Sequence, residues 1–508
     1  MWIDMGECSS FCVGSCGTGN LHNNPAHPPF ALPGEPGDVD YDFPEGFDRT
    51  NATEAASASA ADASQSASAT TGSDTSSSTP SYLRTSPTPG ARNINHPPYV
   101  INNVQSGHDL AVHAISPNAT HVDGVQEYDV HNLNGHQILN ATYSGLEHVF
   151  PSKRPFILGR ATFAGSGKYA AHWGGDNVSK WSHLFLSISQ ALSFQLFGIP
   201  MFGVDTCGFT GNTDEELCNR WMQASAFFPF YRNHNVLASI PQEPYRWASV
   251  TAASKKAMRI RYALLPYIYT LFHHAHTTGA TVMRALAWEF PSDPSLAAVD
   301  TQFLLGPSLM VIPVLEPNAS SVRGVFPGLA SNEPWYDWYT QTRIPESVKP
   351  GQNTSIPAPL GHIPLYVRGG HVLPLQQPAL TTRAARKTPW SLLVALDTAL
   401  AARGDLYLDD GESLKPSQTK IVTFRAGLSE LTAKASGDWT ESNPLANVTV
   451  LGVQKAPDIT RGGVRFNGKS VPEESVMFNA TSGVLAVHGL DGFTRRGAFE
   501  EDWVLKWD

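Results

Sequence analysis

The chain has 508 residues, more than one hydrophobic core accommodates, and its length predicts two to four domains. Charged residues make up 16% of it, against roughly 25% in average proteins, whereas glycine, proline and aromatic residues are plentiful. The formal net charge of −10 and the lack of a lysine and arginine block argue against a nucleic-acid partner, which needs cationic groups on its phosphates.

No apolar run in the sequence is long enough to cross a membrane. The longest is 303-FLLGPSLMVIPVL-315, which Gly306 and Pro313 interrupt, whereas a span needs about 20 apolar residues. We interpret this run as two paired, buried strands. The first residues of the chain also lack the basic and apolar regions of a secretory signal.

Asparagine sequons are nevertheless common. They begin at Asn177 and at the seven positions where we predict glycosylation: Asn51, Asn118, Asn140, Asn318, Asn353, Asn447 and Asn479. This number in a chain of low charge indicates the secretory route and an extracellular protein.

The five cysteines agree with an oxidising compartment. Cys12 and Cys16 lie four positions apart, and a disulfide between them would close a short loop. Cys207 and Cys218 lie eleven positions apart and could do the same. Cys8 then stays unpaired. The alternative is a cytosolic protein with five buried thiols.

Residues 53–80 contain no aromatic residue and no Leu, Ile, Val or Met. Such a segment cannot bury enough apolar surface to offset the entropy of ordering it. We predict a disordered insert at about 50–90 that could carry O-linked glycans, with ordered structure resuming near Tyr99.

Strand-like and helix-like segments alternate between residues 151 and 290. Strands are predicted at 155–161, 169–176, 200–205 and 281–290, and helices at 182–198, 215–228 and 251–276. We expect Ser182 to cap the first helix and Pro266 to kink the last. This rhythm indicates a parallel (β/α)8 TIM barrel. Arg160, Asp176 and Asp205 at strand ends then place its site at the C-terminal face.

After residue 300 long helices are no longer predicted. Strands and hairpins are expected at 335–340, 363–375, 405–413, 447–453 and 502–507. The fold class is therefore α/β plus all-β, a barrel followed by two C-terminal β-sandwich domains. We place the barrel at 1–295, the proximal sandwich at 296–380 and the distal sandwich at 381–508.

Two aspartates have surroundings that favour sugar chemistry. We expect Trp2 and Ile3 to form the buried end of a strand that leads into Asp4. Asp176 lies in a glycine-rich turn after Trp173. Glycoside hydrolysis needs one carboxylate to attack and one carboxylic acid to protonate the leaving oxygen, and tryptophan stacks on the apolar face of a sugar. Taken alone, either aspartate could be a helix cap or a turn former.

Five longer motifs occur in the order typical of one enzyme family. They are "WIDMGE", "GRATFAGSGKYAAHWGGDN", "GIPMFGVDTCGF", "FYRNHN" and "PLYVRGG". With these motifs the chain resembles glycoside hydrolase family 31, and in particular its secreted fungal-type α-glucosidases, over essentially its whole length. The resemblance implies a retaining, exo-acting enzyme that releases terminal non-reducing glucose from maltose and malto-oligosaccharides by double displacement.

The resemblance also implies roles for residues at the matching motif positions. Asp4 would be the nucleophile and Asp176 the general acid/base, in a drier setting beside Trp173. Sugar-binding residues would be Trp2, Met5, Trp173 and Phe209 around the ring, and Arg160, Asp205 and His234 on the hydroxyl groups. Glu7 would support the nucleophile without touching the sugar. For His234, a packed core histidine is the alternative.

The chain departs from the family pattern in two ways. Gly6 stands where the family usually has asparagine, and glycine loosens the backbone after Asp4. The resemblance also implies that Asp4 ends the fourth barrel strand, so we expect an incomplete (β/α)8 TIM barrel and expect Met1 to be an internal point of a longer protein. A truncated, non-catalytic carbohydrate-binding remnant is the alternative function.

We expect α-glucan oligosaccharides as partners, and no cofactor, metal, nucleic acid or membrane. The segment 165-GSGKY-169 lacks the glycine spacing of a phosphate loop. His273, His274 and His276 end a predicted helix without a partnering cluster. The segment 409-DDGES-413 is typical of a hairpin turn rather than a calcium loop. The sequence leaves the oligomeric state open.

Overall fold

The structure, a computed structural model, describes residues 1–13, 112–115, 117 and 119–508, and for residues 10–13, 112 and 113 it describes the backbone alone. The chain divides into two compact units. The smaller comprises Met1–Gly145 and Ile157–Ala170, and the larger comprises Leu146–Phe156 and Ala171–Asp508. The insert predicted at about 50–90 and the start of ordered structure predicted near Tyr99 lie outside the described residues.

The smaller unit has short strands and two helices. They are β1 Trp2–Ile3, β2 Ser9–Val13, β3 Val112–Ala114 and β4 Leu158–Gly159, with α1 Glu127–Val130 and most of α2 Asn134–Val149. β1 pairs in parallel with β4, and β2 pairs antiparallel with β3. The strand expected before Asp4 is present. The expectation that Trp2 is buried is wrong. Trp2 is 47% exposed, because β1 is short and lies at a sheet edge in the described part of the chain.

The larger unit begins with the predicted alternation of strands and helices. Its first elements are β5 Ala171–Trp173, β6 Phe202–Gly203, β7 Asp205–Thr206 and β8 Arg232–Asn233, with α3 Trp181–Leu196, α4 Glu215–Ser225, α5 Ala248–Ala263 and α6 Leu265–Thr278. β5 pairs in parallel with β6, and β7 pairs in parallel with β8. Parallel strands joined through helices are the repeating unit of a barrel.

Local signals set the helix ends, with one correction. Ser182 does not cap α3, because Trp181 packs into the core and the helix begins there, with Lys180 at the N-cap. Asp214 caps α4 by accepting a backbone N–H of its first turn. The long helix predicted at 251–276 is divided into α5 and α6, and Pro266 lies in the first turn of α6, where its missing N–H is tolerated.

From residue 279 onward the chain is mainly β-structure, with short helices α7 Leu286–Glu289 and α8 Thr382–Ala385. The strands are β9 Met283–Arg284, β10 Phe303–Leu305, β11 Leu309–Val311, β12 Ser321–Gly324, β13 Trp335–Asp337, β14 Thr354–Pro357, β15 Leu365–Arg368, β16 His371–Gln376, β17 Trp390–Ala395, β18 Ala402–Leu408, β19 Lys420–Gly427, β20 Glu430–Gly437, β21 Leu445–Leu451, β22 Val464–Phe466, β23 Lys469–Ser470, β24 Val476–Asn479, β25 Val484–Val487 and β26 Trp503–Trp507.

These strands form one sheet of five strands, one pair and one sheet of eleven strands. The five-stranded order is β13-β15-β11-β10-β9, and β12 pairs with β14. The eleven-stranded order is β23-β22-β26-β20-β19-β18-β16-β17-β21-β25-β24. β10 and β11 are fully buried antiparallel neighbours, which confirms the paired strands predicted in the longest apolar run.

Two expectations for this region need correction. The strand predicted at 281–290 is reduced to β9 and the helix α7, and β9 pairs antiparallel with β10 instead of entering the barrel. The Gly-Gly segment at 369–370 is not a hairpin turn, because β15 pairs with β11 and β13 whereas β16 pairs with β17 and β18. β16 belongs by pairing to the larger sheet, and the domain boundary expected at 380/381 stays a prediction.

Candidate active site

Asp4 follows β1 directly and is exposed. Met5 has a φ of 56°, a left-handed conformation that is uncommon for residues with a side chain. The backbone N–H of Met5 donates to Asp4 Oδ1 at 2.9 Å. A hydrogen bond to an ionised carboxylate is stronger than one between neutral groups, so this turn fixes one carboxylate oxygen.

Arg160, which follows β4, contacts two carboxylates. Its Nη1 lies 3.5 Å from Asp4 Oδ1. Its Nε and Nη2 donate to the two oxygens of Glu7 at 2.7 and 3.3 Å. Because Glu7 holds one edge of the guanidinium through two hydrogen bonds, it orients the cation that faces Asp4. Arg160, expected on a sugar hydroxyl, contacts Asp4, and Glu7, expected in a supporting role, contacts Arg160.

The backbone of Gly6 contacts the side chain of Asn134. Its carbonyl oxygen accepts a hydrogen bond from Asn134 Nδ2 at 2.9 Å. A Cβ added at Gly6 would lie 3.7 Å from both Ala161 Cβ and Ile138 Cδ1, which is ordinary van der Waals contact. The site therefore has room for a side chain at this position.

Trp173 and Asp176 lie on opposite sides of a Gly-Gly turn after β5. Trp173 is 1% exposed, and the Arg232 guanidinium carbon lies 5.3 Å from the centre of its ring. Asp176 is exposed, so the drier setting expected for it is absent. The reason is the left-handed Gly175, with a φ of 78°, which turns the chain outward after the buried strand.

Asp205 lies at the start of β7 and has no exposed surface. Its Oδ1 accepts a hydrogen bond from Arg232 Nε at 3.1 Å, and Arg232 Nη2 donates to the same oxygen. The parallel register that sets Asp205 opposite Arg232 explains this pairing. Asp205 holds the arginine that lies over Trp173, and its expected contact with a sugar hydroxyl stays a prediction.

Phe209 and His234 form a half-buried aromatic pair. Their ring centres are 5.3 Å apart and the rings are tilted by 34°. Asn177 positions this pair, because its Oδ1 accepts from the Phe209 N–H and its Nδ2 donates to the Asp205 carbonyl, both at 3.0 Å. The packed-core alternative for His234 is not favoured, since the residue is only partly buried.

Two further features hold the loop that follows β7. Cys207 and Cys218 are joined in the predicted disulfide. Gln242, 2% exposed, donates from Nε2 to four acceptors. These are Thr206 O at 3.2 Å, Gly208 O at 3.0 Å, Asn233 Oδ1 at 2.9 Å and His234 O at 3.3 Å.

Sequence reasoning missed Arg232 and Gln242 as site residues. The position of Arg232 could have indicated a site residue, since it lies in the motif that contains His234 and follows an aromatic run. Gln242 had none, because a single glutamine between two prolines is typical of an ordinary surface loop.

Family models decide the relationship that the motifs indicated. The model described as "Glycosyl hydrolases family 31 TIM-barrel domain" matches residues 1–271, and the "Glycosyl hydrolase family 31 C-terminal domain" matches residues 279–373. The chain belongs to glycosyl hydrolase family 31. The predicted combination of a TIM barrel with C-terminal β-structure is confirmed.

Two named fungal proteins are similar in sequence to this chain. An alpha-glucosidase of Aspergillus oryzae is 70% identical over 507 residues, covering 100% of this chain and 50% of that protein. Glucoamylase 1 of Schwanniomyces occidentalis is 51% identical over 508 residues, covering 100% of this chain and 51% of that protein. The chain spans about half the length of the curated relatives it matches.

A solved family 31 structure is also similar. The Tris-bound glucosidase II alpha subunit superposes with a TM-score of 0.70 at 31% identity, covering 79% of this chain and 45% of that one. Among the helices that the structure describes, none has the length and apolarity of a membrane span.

The predicted modification sites of this family 31 chain differ in their surroundings. Asn318, Asn353 and Asn479 are exposed, whereas Asn140 and Asn447 are partly buried. Asn51, Asn118 and Cys16 lie outside the described residues, as does the side chain of Cys12, so these sites stay predictions. At the Asn177 sequon, both the oxygen and the nitrogen of the side-chain amide form hydrogen bonds.

Proposed function

We propose that this protein is a retaining, exo-acting α-glucosidase that removes terminal glucose from maltose and malto-oligosaccharides. The observation that carries the proposal is Asp4 at the end of β1, oriented by the Met5 N–H and facing the Arg160 guanidinium, in a family 31 chain. The names of the curated relatives, alpha-glucosidase and glucoamylase, support glucose as the released sugar.

In this proposal Asp4 attacks the anomeric carbon and forms a covalent glycosyl-enzyme. Arg160 places its positive charge beside the attacking carboxylate, and Glu7 holds Arg160 in position. Because one oxygen of Asp4 already accepts the Met5 N–H, the carboxylate needs little reorientation before attack.

Asp176 is proposed as the general acid that protonates the leaving oxygen, and then as the base that activates water. Its exposed position lets it exchange protons with solvent between the two steps. Two successive displacements at one carbon retain the anomeric configuration.

Phe209 and His234 are proposed to contact the sugar, with the ring of Phe209 on apolar surface and the imidazole of His234 on a hydroxyl group. Trp2 and Met5, which are both exposed beside Asp4, are proposed to contact the sugar ring. Asp205 and Arg232 are proposed to position the wall of the site through Trp173.

We also propose that the protein passes through the secretory pathway. A disulfide between Cys207 and Cys218 favours an oxidising compartment, and exposed sequons at Asn353 and Asn479 are suited to glycans. Peptide mapping after enzymatic deglycosylation should find both asparagines converted to aspartate, and two unmodified asparagines would contradict this route.

The glucosidase proposal is tested by following maltose hydrolysis with proton NMR. The assay uses the 508-residue chain and, beside it, the chain extended by any in-frame upstream coding sequence of its gene. We expect α-glucose as the first product, and Asp4→Asn and Asp176→Asn should each lower kcat by several orders of magnitude. β-Glucose as the first product, or an Asp4→Asn variant with normal kcat, would overturn the proposal.

A further inference from the structure

A cluster of metal-binding side chains lies at the start of α1 in the smaller unit. One ligand atom each from Cys8, Glu127 and His131 lies within 4.8 Å of the others. His131 Nδ1 is 2.9 Å from Glu127 Oε1, and His121 Nε2 is 2.8 Å from Glu127 Oε2. We call these four residues the Cys8 cluster.

Local structure explains why the four residues meet. Glu127 and His131 are separated by one helical turn, so their side chains share a face. His121 N–H donates to the Val125 carbonyl at 2.8 Å, and this turn folds His121 back toward Glu127. Cys8 immediately precedes β2, whose pairing with β3 brings the segment after Asp4 to the same place.

The separations are close to those of a metal site. With metal–nitrogen and metal–oxygen bonds of about 2.0–2.2 Å, tetrahedral ligand atoms lie about 3.3–3.5 Å apart. The 2.9 Å between His131 and Glu127 would widen slightly, and the Cys8 sulfur, which lies within 4.8 Å of the other ligand atoms, would move by at most about 1.3 Å to complete the set. Side-chain rotations alone allow changes of this size.

Burial makes a bound cation favourable here. Glu127 is 3% exposed, and a buried carboxylate is costly unless cations or donors compensate it. A cavity of about 370 Å³ adjoins the cluster, lined among others by Cys8, Asp123, Glu127 and Asn134. This space accommodates a cation and a water molecule as its fourth ligand.

We propose that Cys8, Glu127 and His131 bind one divalent cation of the zinc type, with His121 hydrogen-bonded to the second oxygen of Glu127. A set of one thiolate, one imidazole and one carboxylate suits zinc better than magnesium or calcium, which prefer oxygen alone. His121 then orients the carboxylate ligand from behind, as outer partners do in other zinc sites.

The site departs from the sequence prediction, which expected no metal. Cys8 is far from Glu127 in the chain, so no short ligand spacing could reveal the cluster. Burial and the neighbouring Glu127 carboxylate raise the pKa of the Cys8 thiol. A bound cation therefore displaces the thiol proton, which leaves to solvent.

The expected consequence is structural. Cys8 is four residues beyond Asp4, and Asn134, which lines the cavity, also donates to the Gly6 carbonyl. A cation at the Cys8 cluster would tie the segment after Asp4 to α1. This inference does not depend on the glucosidase proposal, and its test uses no activity measurement.

The test is titration of the chelator-treated protein with zinc alone, followed by calorimetry, and with cobalt alone, followed by absorbance. We expect one zinc per chain, a thiolate-to-cobalt charge-transfer band, and a melting temperature that rises with zinc concentration. Cys8→Ser should abolish the band and weaken zinc binding at least about tenfold, and His121→Ala should weaken it about 10–100-fold.

His148→Gln, which removes an exposed histidine of α2 outside the cluster, is the matched control and should bind zinc as the parent does. The cobalt band of the parent protein is informative even if a variant fails to fold. The proposal is overturned if the parent binds no zinc at micromolar concentration, if the cobalt complex has no thiolate band, or if peptide mapping finds Cys8 in a disulfide with Cys12 or Cys16.

Discussion

The segment around Asp4 and the loops around Asp205 are held by different kinds of contact. At Asp4 the polar groups are partly open to water, with side-chain exposures of 35% for Asp4, 24% for Arg160 and 40% for Glu7. At Asp205 the carboxylate is fully buried against Arg232, beside the equally buried Gln242 and a disulfide. The contacts around Asp4 can be rearranged at a small cost in free energy, whereas those around Asp205 cannot.

The difference indicates a division of tasks. If Asp4 is the nucleophile, as proposed, it must approach the sugar and later release it, and weak, solvent-screened contacts suit that role. If Phe209 and His234 contact the sugar, as proposed, their loops must keep one shape, and the buried contacts of Asp205 and Gln242 provide rigidity there. Mutations should therefore affect stability strongly in the loops and weakly at Asp4.

The largest stability effect is expected for Arg232→Met. The variant leaves the buried Asp205 carboxylate without its guanidinium, and breaking a buried ion pair on one side costs about 3–5 kcal/mol. Native-state hydrogen exchange of amides in β7 and β8 measures the loss. Arg246→Met, at an exposed arginine in the same part of the chain, is the control and should change little. Equal protection in both variants would remove the contrast between the two regions.

The next largest effect is expected on removing the disulfide with Cys207→Ala and Cys218→Ala together. A loop of this length contributes about 2–3 kcal/mol, mainly by restricting the unfolded chain. Thermal unfolding of the double variant, beside Cys8→Ala in zinc-free buffer, measures it. A double variant that melts with the parent would show that Gln242 and Arg232 suffice to hold the loop.

Gln242→Ala should lower the free energy of unfolding by about 2 kcal/mol, because the carbonyl groups of Thr206, Gly208 and His234 lose this donor. Glu243→Ala, at the exposed neighbour, is the matched control. We expect proteolysis within 206–209 to accelerate in Gln242→Ala only. If the two variants are cleaved alike, Gln242 does not organise these loops.

The smallest effect, and one of opposite sign, is expected at Gly6. Its backbone is outside the left-handed region and an added Cβ meets only ordinary contacts, so Gly6→Ala should stabilise by about 0.4–1 kcal/mol. Gly208 is the contrasting position, since its φ is +89° and a Cβ there would lie 2.4 Å from Ser179 Cα. Gly208→Ala should destabilise the protein, and similar melting temperatures for both variants would contradict the assignment of rigid and adaptable regions.

The sequence predicted elements whose signals are local. The helices α3 and α4 follow from apolar spacing, and the break between α5 and α6 follows from Pro266. Asp4 and Asp176 were found because strand-end aspartates beside tryptophan occur within long motifs. These features depend on neighbours a few residues away, which a sequence displays directly.

The sequence could not predict partnerships made over distance. β9 and β16 each take their sheet from the strands that lie beside them, not from their own pattern. The contact between Asp205 and Arg232 likewise depends on the register of β7 and β8, which the sequence does not display. The Cys8 cluster was hidden for the same reason, because two remote segments supply its ligands.

The measurement that tests the central proposal most directly is covalent trapping of the nucleophile. The protein is incubated with a fluorinated glucosyl fluoride that forms the glycosyl-enzyme rapidly and hydrolyses it slowly, and the labelled peptide is sequenced by mass spectrometry. Asp4 should carry the sugar, with one label per active chain and none in Asp4→Asn. A label on Asp176, Asp205 or Glu7, in protein that hydrolyses maltose, would contradict the assignment of Asp4 as the nucleophile.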